Sequence, residues 1–317
     1  MAFILATLLF VGLPMILFKK LPAQEPLKPE RQTVTIWTES RNRRCQVYVP
    51  SGYDPRKPIP VVLIFHGAGG SGESSLEKNG WSAKAERENF VAAAPDGLPA
   101  RPAWPASFIL NPRLWNDGQL RPESQRSKID DVAFVRALLD DLSRRVNIDA
   151  NRVYITGHSN GAGMTFRLGA ELSDRFAAMA PVAGHCWIQN PRPSRPLPTL
   201  YIIGTKDPLI PLSGGDVKTP WSQKVNPSVE QTLTTWAAAL GIKSPPGVVQ
   251  DKDGVKIVRY GSETDTVALT ALYIEGQGHG WPGGGNSNLP ERWIGPRVDR
   301  IHATDIIWDF FKKFSRK

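Results

Sequence analysis

The chain has 317 residues, enough to bury a complete hydrophobic core as one large domain or two smaller ones. Its hydrophobic fraction of 41% is ordinary for a globular protein. The net charge of +9 comes from 39 basic and 30 acidic residues, and the basic residues are scattered rather than interleaved with aromatic ones. This pattern does not indicate a nucleic-acid groove; it favours a solvated basic surface, with weak attraction to anionic polymers or membranes as the alternative.

The first predicted element is an apolar N-terminal run. Residues 2–18 are almost entirely apolar, and Lys19 and Lys20 follow directly. We expect residues 1–23 to be a signal peptide or an N-terminal membrane anchor, which implies a secreted or periplasmic protein. In the anchored case the attachment runs through residues 1–20. The absence of cysteine from this segment argues against a lipoprotein anchor.

We predict a linker at 24–33. After it, apolar patterns typical of strands alternate with apolar patterns typical of helices. We predict strands at 35–37, 45–49, 60–65, 90–95, 153–158, 178–183, 199–204 and 267–275, and helices at 76–89, 131–146, 161–176, 228–240 and 299–314. The first two strands form an antiparallel pair. The rest alternate with helices, and this α/β pattern predicts a mainly parallel, doubly wound sheet.

Two predicted loops are longer than usual, at roughly 97–127 and 206–227. They contain Trp104, Trp115 and Trp221. Long loops often line a substrate cleft, where indole rings stack on sugar or phenolic rings. The alternative is that these tryptophans only pin the loops to the domain.

The cysteine content is low. Cys45 and Cys186 are the two cysteines of the chain, and they form either one disulfide or two buried free thiols. The chain has no CxxC motif and no Cys/His cluster, so we expect no metal site.

The most informative motif is Gly157-His158-Ser159-Asn160-Gly161, which fits G-x-S-x-G. A β-branched run typical of a buried strand precedes it, and apolar residues at helical spacing follow it. A tight strand-to-helix turn needs small residues around a serine held in a strained conformation. We therefore predict Ser159 as a nucleophile; the alternative is a glycine-rich turn with an incidental serine.

A serine nucleophile needs a histidine base and a carboxylate that fixes the tautomer of that histidine. Of the five histidines, His279 is the best candidate, since it follows a predicted strand within a glycine-rich loop. Asp207 follows the strand at 199–204. The alternatives are a turn histidine and an Asp-Pro turn without chemistry. The chain order Ser159, Asp207, His279 is that of α/β-hydrolases.

Acyl transfer also needs donors for the developing oxyanion. The Asn160 N–H, next after the nucleophile, is one candidate, and the Ala68 N–H in the glycine-rich loop 66–70 is the second. A phosphate cradle is the alternative for this loop, but no Lys-Ser/Thr pair follows it. Residues predicted to contact substrate in the cleft are His66, Trp115, His158 and Trp281.

These motifs together resemble one family. They are His66-Gly67-Ala68-Gly69-Gly70, Pro95-Asp96-Gly97, Asp130-Asp131-Val132-Ala133-Phe134, Gly157-His158-Ser159-Asn160-Gly161, Gly204-Thr205-Lys206-Asp207 and Gly278-His279. The combination is similar to the poly(3-hydroxybutyrate) depolymerase-like esterases, which include feruloyl and acetyl-xylan esterases of carbohydrate esterase family one.

The resemblance implies one α/β-hydrolase catalytic domain at 34–317 with Ser159, Asp207 and His279 as its triad. It also implies that Asp131 is a structural aspartate ahead of a helix, for which N-capping supplies the physical reason. No separate starch-like or chitin-like binding module is visible, which favours soluble esters over crystalline polymer.

The sequence therefore predicts a serine carboxylic-ester hydrolase that forms an acyl-enzyme and needs no cofactor or metal. Its expected substrates are extracytoplasmic esters: feruloyl or acetyl esters on plant polysaccharide, or hydroxyalkanoate oligomers. Two other readings stay open, a serine peptidase on the same fold and a non-catalytic polysaccharide-binding protein on a hydrolase scaffold. No nucleic-acid partner is expected.

Overall fold

A computed structural model describes most of the chain. The described residues are 25–39, 41–99, 101, 103–108, 110–119, 125–219, 222–262, 268–285 and 289–316. The predicted signal or anchor segment at 1–23 and the predicted cleft residue Trp221 lie outside this set.

The structure contains fourteen described strands and seven α-helices. The strands are β1 (Arg31–Thr38), β2 (Arg41–Tyr48), β3 (Ile59–Phe65), β4 (Val91–Pro95), β5 (Leu98–Pro99), β6 (Arg113–Leu114), β7 (Ile148–His158), β8 (Ala178–Val182), β9 (Thr199–Gly204), β10 (Gly215–Thr219), β11 (Ser222–Asn226), β12 (Gly247–Lys252), β13 (Val255–Tyr260) and β14 (Leu269–Ile274). The helices are α1 (Gly72–Lys78), α2 (Trp81–Glu88), α3 (Asp131–Arg145), α4 (Asn160–Glu171), α5 (Val229–Ala239), α6 (Glu291–Ile294) and α7 (Ala303–Phe311).

One ten-stranded sheet organises the fold, in the order β1-β2-β4-β3-β7-β8-β9-β14-β13-β12. The six strands from β4 to β14 are mutually parallel, and two antiparallel strands flank them on each side. This confirms the predicted mainly parallel α/β sheet. Because the central strands are parallel, their carboxyl ends meet at one edge, where α/β proteins place their sites.

The central strands are covered on both faces. Every residue of β3, β4, β8 and β9 is buried, as continuous apolar runs in a parallel sheet require. From β7, Tyr154 stacks on Phe311 of α7 with 4.8 Å between ring centres. Across the core, Phe166 of α4 meets Trp236 of α5 edge to face. These contacts hold the strand ends that carry the site.

The prediction of one continuous helix at 76–89 is wrong. The segment forms two helices, α1 and α2, because Gly80 adopts a left-handed conformation with φ of 74° and starts a new helix at Trp81. A left-handed residue cannot continue a right-handed helix, and glycine takes that conformation without a Cβ clash.

The predicted linker and one predicted long loop also carry structure. Strand β1 begins at Arg31, within the segment predicted as linker, and Leu27 is buried in the core. The predicted loop at 206–227 contains the hairpin β10–β11. Strands β12 and β13 were not predicted, since β12 is exposed at all six positions and has no buried face to give alternation.

Asp131 does not cap its helix, contrary to prediction. The N-cap of α3 is Asp130, whose side chain accepts the N–H of Ala133 at 2.8 Å. Asp131 is buried instead and accepts from Arg43 Nη2 at 2.7 Å, with Arg126 Nη2 at 3.5 Å. Its structural role is therefore to neutralise two buried guanidinium groups, a pattern that local sequence does not reveal.

Replacing Asp131 should cost far more stability than replacing the true cap. We expect Asp131→Asn to lower the free energy of unfolding by about 3–5 kcal/mol, since a buried carboxylate that contacts two buried guanidinium groups is lost. Asp130→Ala removes only the cap and should cost about 1 kcal/mol. Urea unfolding of both variants measures the difference; equal losses would contradict the assigned role of Asp131.

Both cysteines are free thiols buried in the core, which settles the alternative left open by the sequence. Burial raises the pKa of the Cys186 thiol to about 12 and that of Cys45 well above its usual value. None of the helices among the described residues is long and apolar enough to cross a membrane.

Candidate active site

Ser159 sits in a strained turn between β7 and α4. Its φ is 57° and its ψ is −119°, a conformation that side-chain-bearing residues rarely adopt. The flanking glycines permit this turn: a Cβ on Gly157 would lie 2.2 Å from the Gly161 carbonyl oxygen, and one on Gly161 would lie 2.2 Å from that of Phe65. The G-x-S-x-G motif is therefore required by backbone packing around the serine.

The structure brings together the three residues predicted to act as a unit. His279 Nε2 lies 2.8 Å from Ser159 Oγ, and His279 Nδ1 lies 2.8 Å from Asp207 Oδ2. The Asp207 side chain is fully buried. A neutral imidazole in this arrangement donates from Nδ1 to the carboxylate and accepts at Nε2 from the serine hydroxyl.

Asp207 is fixed in place by the turn after β9. Its Oδ1 accepts the N–H groups of Leu209 and Ile210, at 2.8 and 2.9 Å. Only Oδ2 then remains for the histidine. This arrangement orients the carboxylate toward His279, and no second charged side chain of the described residues contacts it.

His158 is held against the His279 loop. A carbonyl only accepts, so the 2.5 Å contact between His158 Nε2 and the His279 carbonyl oxygen is a donation from the imidazole. Burial lowers the pKa of His158 to about 3, with the neighbouring His279 ring adding to the effect. His158 borders the cleft, and its hydrogen bond to the His279 carbonyl is a positioning contact.

The glycine-rich loop after β3 lies beside the serine. A Cβ on Gly67 would be 3.3 Å from the Ser159 Cβ, so the loop backbone passes close to the reactive hydroxyl. The Asn160 N–H is the first of α4, where helical donors have no intrahelical acceptor. Within the described part of the chain, neither this N–H nor that of Ala68 has a hydrogen-bond acceptor.

His66 and Trp115 stabilise this loop through hydrogen bonds. Buried His66 donates from Nδ1 to the Gly67 carbonyl at 2.7 Å and accepts the Gly97 N–H at Nε2, at 2.9 Å. Burial lowers its pKa to about 4. Trp115 is fully buried and donates from Nε1 to the His66 carbonyl at 3.0 Å. Both residues border the cleft, yet their polar atoms are engaged internally and are not available to substrate.

The side chain of Asn160 belongs to a network that sequence reasoning missed. Its Oδ1 accepts the Trp115 N–H at 2.7 Å, and its Nδ2 donates to Asp117 Oδ2 at 2.7 Å. Asp117 is buried, and this burial raises the pKa of its carboxyl to about 6. The network ties α4 to the loop before α3. No motif marks Asp117, which lies within a predicted loop of no clear period.

The predicted aromatic contacts divide between the cleft and the surface. Trp281 lines the cleft but is only 7% exposed, and its Nε1 donates to Thr304 Oγ1 at 3.1 Å. Trp104 is 64% exposed and is not among the described residues that line the cleft. The buried, hydrogen-bonded indole of Trp281 favours the alternative that tryptophans anchor loops to the domain.

One cleft of about 1730 Å³ lies at the carboxyl edge of the parallel strands, and Ser159, His279, Asn160 and Ala68 are among the residues that line it. The hairpin β10–β11 forms one wall, to which it contributes Val217 and Lys224, and neither residue was predicted. In the part of the chain that is described, no group of three His, Cys, Asp or Glu side chains is arranged to hold a metal ion.

Sequence comparisons place the chain among esterases. The profile of the phospholipase/carboxylesterase family matches residues 49–238. NocK of Nocardia uniformis subsp. tsuyamanensis, named as an esterase, is 31% identical over 268 residues, covering 79% of this chain and 73% of that protein. Feruloyl esterase B of Piromyces equi is 27% identical over 86% of this chain. The chain spans only 45% of that second relative's length.

Solved structures show the same fold. The acetyl xylan esterase of Aspergillus awamori superposes with a TM-score of 0.57 at 16% identity, covering 89% of this chain and 99% of that one. The ferulic acid esterase of Anaeromyces mucronatus gives a TM-score of 0.54 at 15% identity, covering 92% and 93%.

The family match covers more than half of the chain, and one relative is more than 30% identical to it. Both findings agree with the sheet topology and with the predicted resemblance to feruloyl and acetyl-xylan esterases. The chain belongs to the phospholipase/carboxylesterase family, and it is an esterase of the α/β-hydrolase fold.

Proposed function

We propose that this esterase is a serine carboxylic-ester hydrolase in which Ser159, His279 and Asp207 form the catalytic triad. The observation that carries the proposal is the pair of 2.8 Å contacts that His279 makes, one to the serine hydroxyl and one to the buried carboxylate. A serine hydroxyl is a weak nucleophile unless a base takes its proton, and His279 is the base within reach.

In the first half-reaction, Ser159 Oγ attacks the ester carbonyl carbon while its proton passes to His279 Nε2. The imidazolium that forms keeps its Nδ1–H on Asp207, which stabilises the new positive charge. The carbonyl oxygen becomes an oxyanion between the N–H groups of Ala68 and Asn160. His279 then returns the proton to the leaving alcohol, and the acyl group stays on Ser159.

Deacylation repeats these steps with water. His279 Nε2 takes a proton from water, the resulting hydroxide attacks the acyl-enzyme carbonyl, and the same two N–H groups receive the oxyanion. Collapse releases the carboxylic acid and returns the proton to Ser159 Oγ. The contact of His158 with the His279 carbonyl supports this cycle by holding the base in position.

The substrates we propose are extracytoplasmic esters, because residues 1–23 have the composition of an export segment or anchor. Sequence relatives named as a feruloyl esterase and as an acetylxylan esterase/xylanase support feruloyl or acetyl esters on polysaccharide. A relative named as a poly(3-hydroxyalkanoate) depolymerase supports hydroxyalkanoate oligomers as the other candidate.

A paired assay tests the mechanism and the substrate class together. Methyl ferulate, acetylated xylan and hydroxybutyrate oligomers are incubated with the wild type and with Ser159→Ala. We expect hydrolysis of at least one class by the wild type and a fall in kcat of about 10⁶-fold in the variant, the scale reached when a catalytic serine is removed.

The control is Ser213→Ala, which removes the hydroxyl of an exposed serine and should leave turnover unchanged. A fluorophosphonate probe should label the wild type and Ser213→Ala, but not Ser159→Ala. Labelling without hydrolysis of any ester would overturn the substrate class alone. Wild-type protein that neither reacts with the probe nor hydrolyses an ester would overturn the triad.

A further inference from the structure

One wall of the cleft carries a lysine that the proposed mechanism does not use. Lys224 lies on β11 directly opposite Val217 of β10, and both residues line the cleft. The Lys224 Nζ lies 5.6 Å from the centre of the Trp187 ring, within the range of a cation–π contact. Trp187 also lines the cleft, so the ammonium group lies over an aromatic ring that borders the same cavity.

Among the described residues, this ammonium group has no carboxylate within 4.0 Å and no hydrogen-bond acceptor. Asp117 is the nearby acid that acts most strongly on it, but the Asp117 oxygens already accept from Asn160 Nδ2 and from the Gln119 N–H. Burial lowers the pKa of Lys224, and the charges of Asp117 and Asp207 only partly offset this effect.

The neighbouring His185 is not a second cation. Its ring lies 5.3 Å from Trp187, and burial together with the charge of Lys224 lowers its pKa to about 4. It is therefore neutral near pH 7. Its Nδ1 contacts Thr232 Oγ1 at 2.8 Å, and its buried Nε2 has no partner within the described part of the chain.

A partly desolvated cation beside a flat apolar surface suits a planar ligand with an anionic end. Charge-assisted hydrogen bonds are stronger than neutral ones, and their strength rises where water is excluded. An exposed lysine would gain little from such a contact, because solvent and salt screen it. Lys224 is half-buried in the cleft wall, and this partial removal from water is what strengthens such a contact enough to select a substrate.

We propose that Lys224 and Trp187 form a subsite for a free carboxylate carried by the substrate on an aromatic or otherwise planar group. The ammonium binds the carboxylate, and the indole packs against the adjoining plane. This inference rests on the proposed esterase function, and it narrows the substrate class to esters with a second, ionised acid group. The carboxylate can belong to the acyl part or to the alcohol part.

Two matched pairs of small esters distinguish these sources. Monomethyl terephthalate against methyl 4-carbamoylbenzoate places the carboxylate on the acyl part. In the second pair, 4-acetoxybenzoate against 4-acetoxybenzamide, it is on the leaving group. Within each pair an ionised carboxylate is replaced at a fixed position by a neutral carboxamide of similar shape. The quantity measured is the ratio of kcat/KM for the acid to kcat/KM for the amide.

We expect the wild type to prefer the acid in one pair, and the pair that shows the preference identifies the source. Lys224→Met should lower that ratio by at least about tenfold, the size of one charged hydrogen bond. Lys224→Arg should retain most of it. The matched control is Lys218→Met, which removes the same charge from an exposed position on the same hairpin and should keep the ratio of the wild type.

A wild-type ratio near one in both pairs, with the amides hydrolysed, would overturn this inference and leave the esterase function standing. An equal loss in Lys218→Met would also overturn it, since the effect would then come from the general field of the surface. Failure of the wild type to hydrolyse any of the four esters and to react with a fluorophosphonate would overturn the esterase function itself.

Discussion

Asp207→Asn should lower kcat by about 10⁴-fold while leaving the fold intact, the loss expected when the orienting acid of a triad becomes an amide. The amide keeps one oxygen, and that oxygen can still accept the N–H groups of Leu209 and Ile210. Its NH₂ group then faces His279 Nδ1. A donor at that position forces Nδ1 to accept, so Nε2 carries the proton and cannot take one from Ser159.

The measurement is kcat on the preferred ester together with the free energy of unfolding. Asp216→Asn, an equal change at an exposed position of β10, is the control and should leave both values unchanged. A fall in kcat of less than tenfold, with the protein folded, would show that Asp207 does not set the tautomer of His279.

Gly161→Ala should destabilise the protein by at least about 3 kcal/mol, at the upper end of the cost of overpacking. Helix propensity alone predicts the opposite sign, since alanine is favoured over glycine by about 1 kcal/mol inside a helix. The packing effect dominates because the new Cβ would lie 2.2 Å from the Phe65 carbonyl oxygen and 2.6 Å from that of His66. Both contacts are with backbone, which cannot rotate away.

Urea unfolding of Gly161→Ala measures this loss, and Gly247→Ala is its control. Gly247 is exposed in β12, and a Cβ there meets nothing within 4 Å. Its change in unfolding free energy should stay within about 0.5 kcal/mol. A Gly161→Ala variant as stable as the wild type would mean that α4 can move away from β3.

The parts of the fold that sequence predicts are those with a strong local signal. Strands β3, β4, β8 and β9 are buried at every position and read as continuous apolar runs. Ser159, Asp207 and His279 could be singled out because each follows a predicted strand, and the parallel strands β7, β9 and β14 bring those ends together.

Features that depend on distant partners could not be predicted in this way. The hairpin β10–β11 is stabilised by the pairing of its two strands and forms one wall of the cleft. These short strands lack a clear apolar period. Asp130 and Asp131 are adjacent in sequence and have different roles. Asp130 caps α3, whereas Asp131 neutralises Arg43, which is 88 residues away. Lys224 reads as one surface lysine among many until the hairpin places it beside Trp187.

The bulge in β12 bears on how copies of this chain meet one another. Strand β12 ends the described sheet, and its valines Val248 and Val249 are each 57% exposed. A straight strand with these side chains would offer a second chain an edge to extend. The pairing of β12 with β13 shifts between Val248 and Gln250, and such a bulge twists the edge and interrupts its row of free N–H and C=O groups. We therefore expect the irregularity to disfavour edge-to-edge pairing of two sheets.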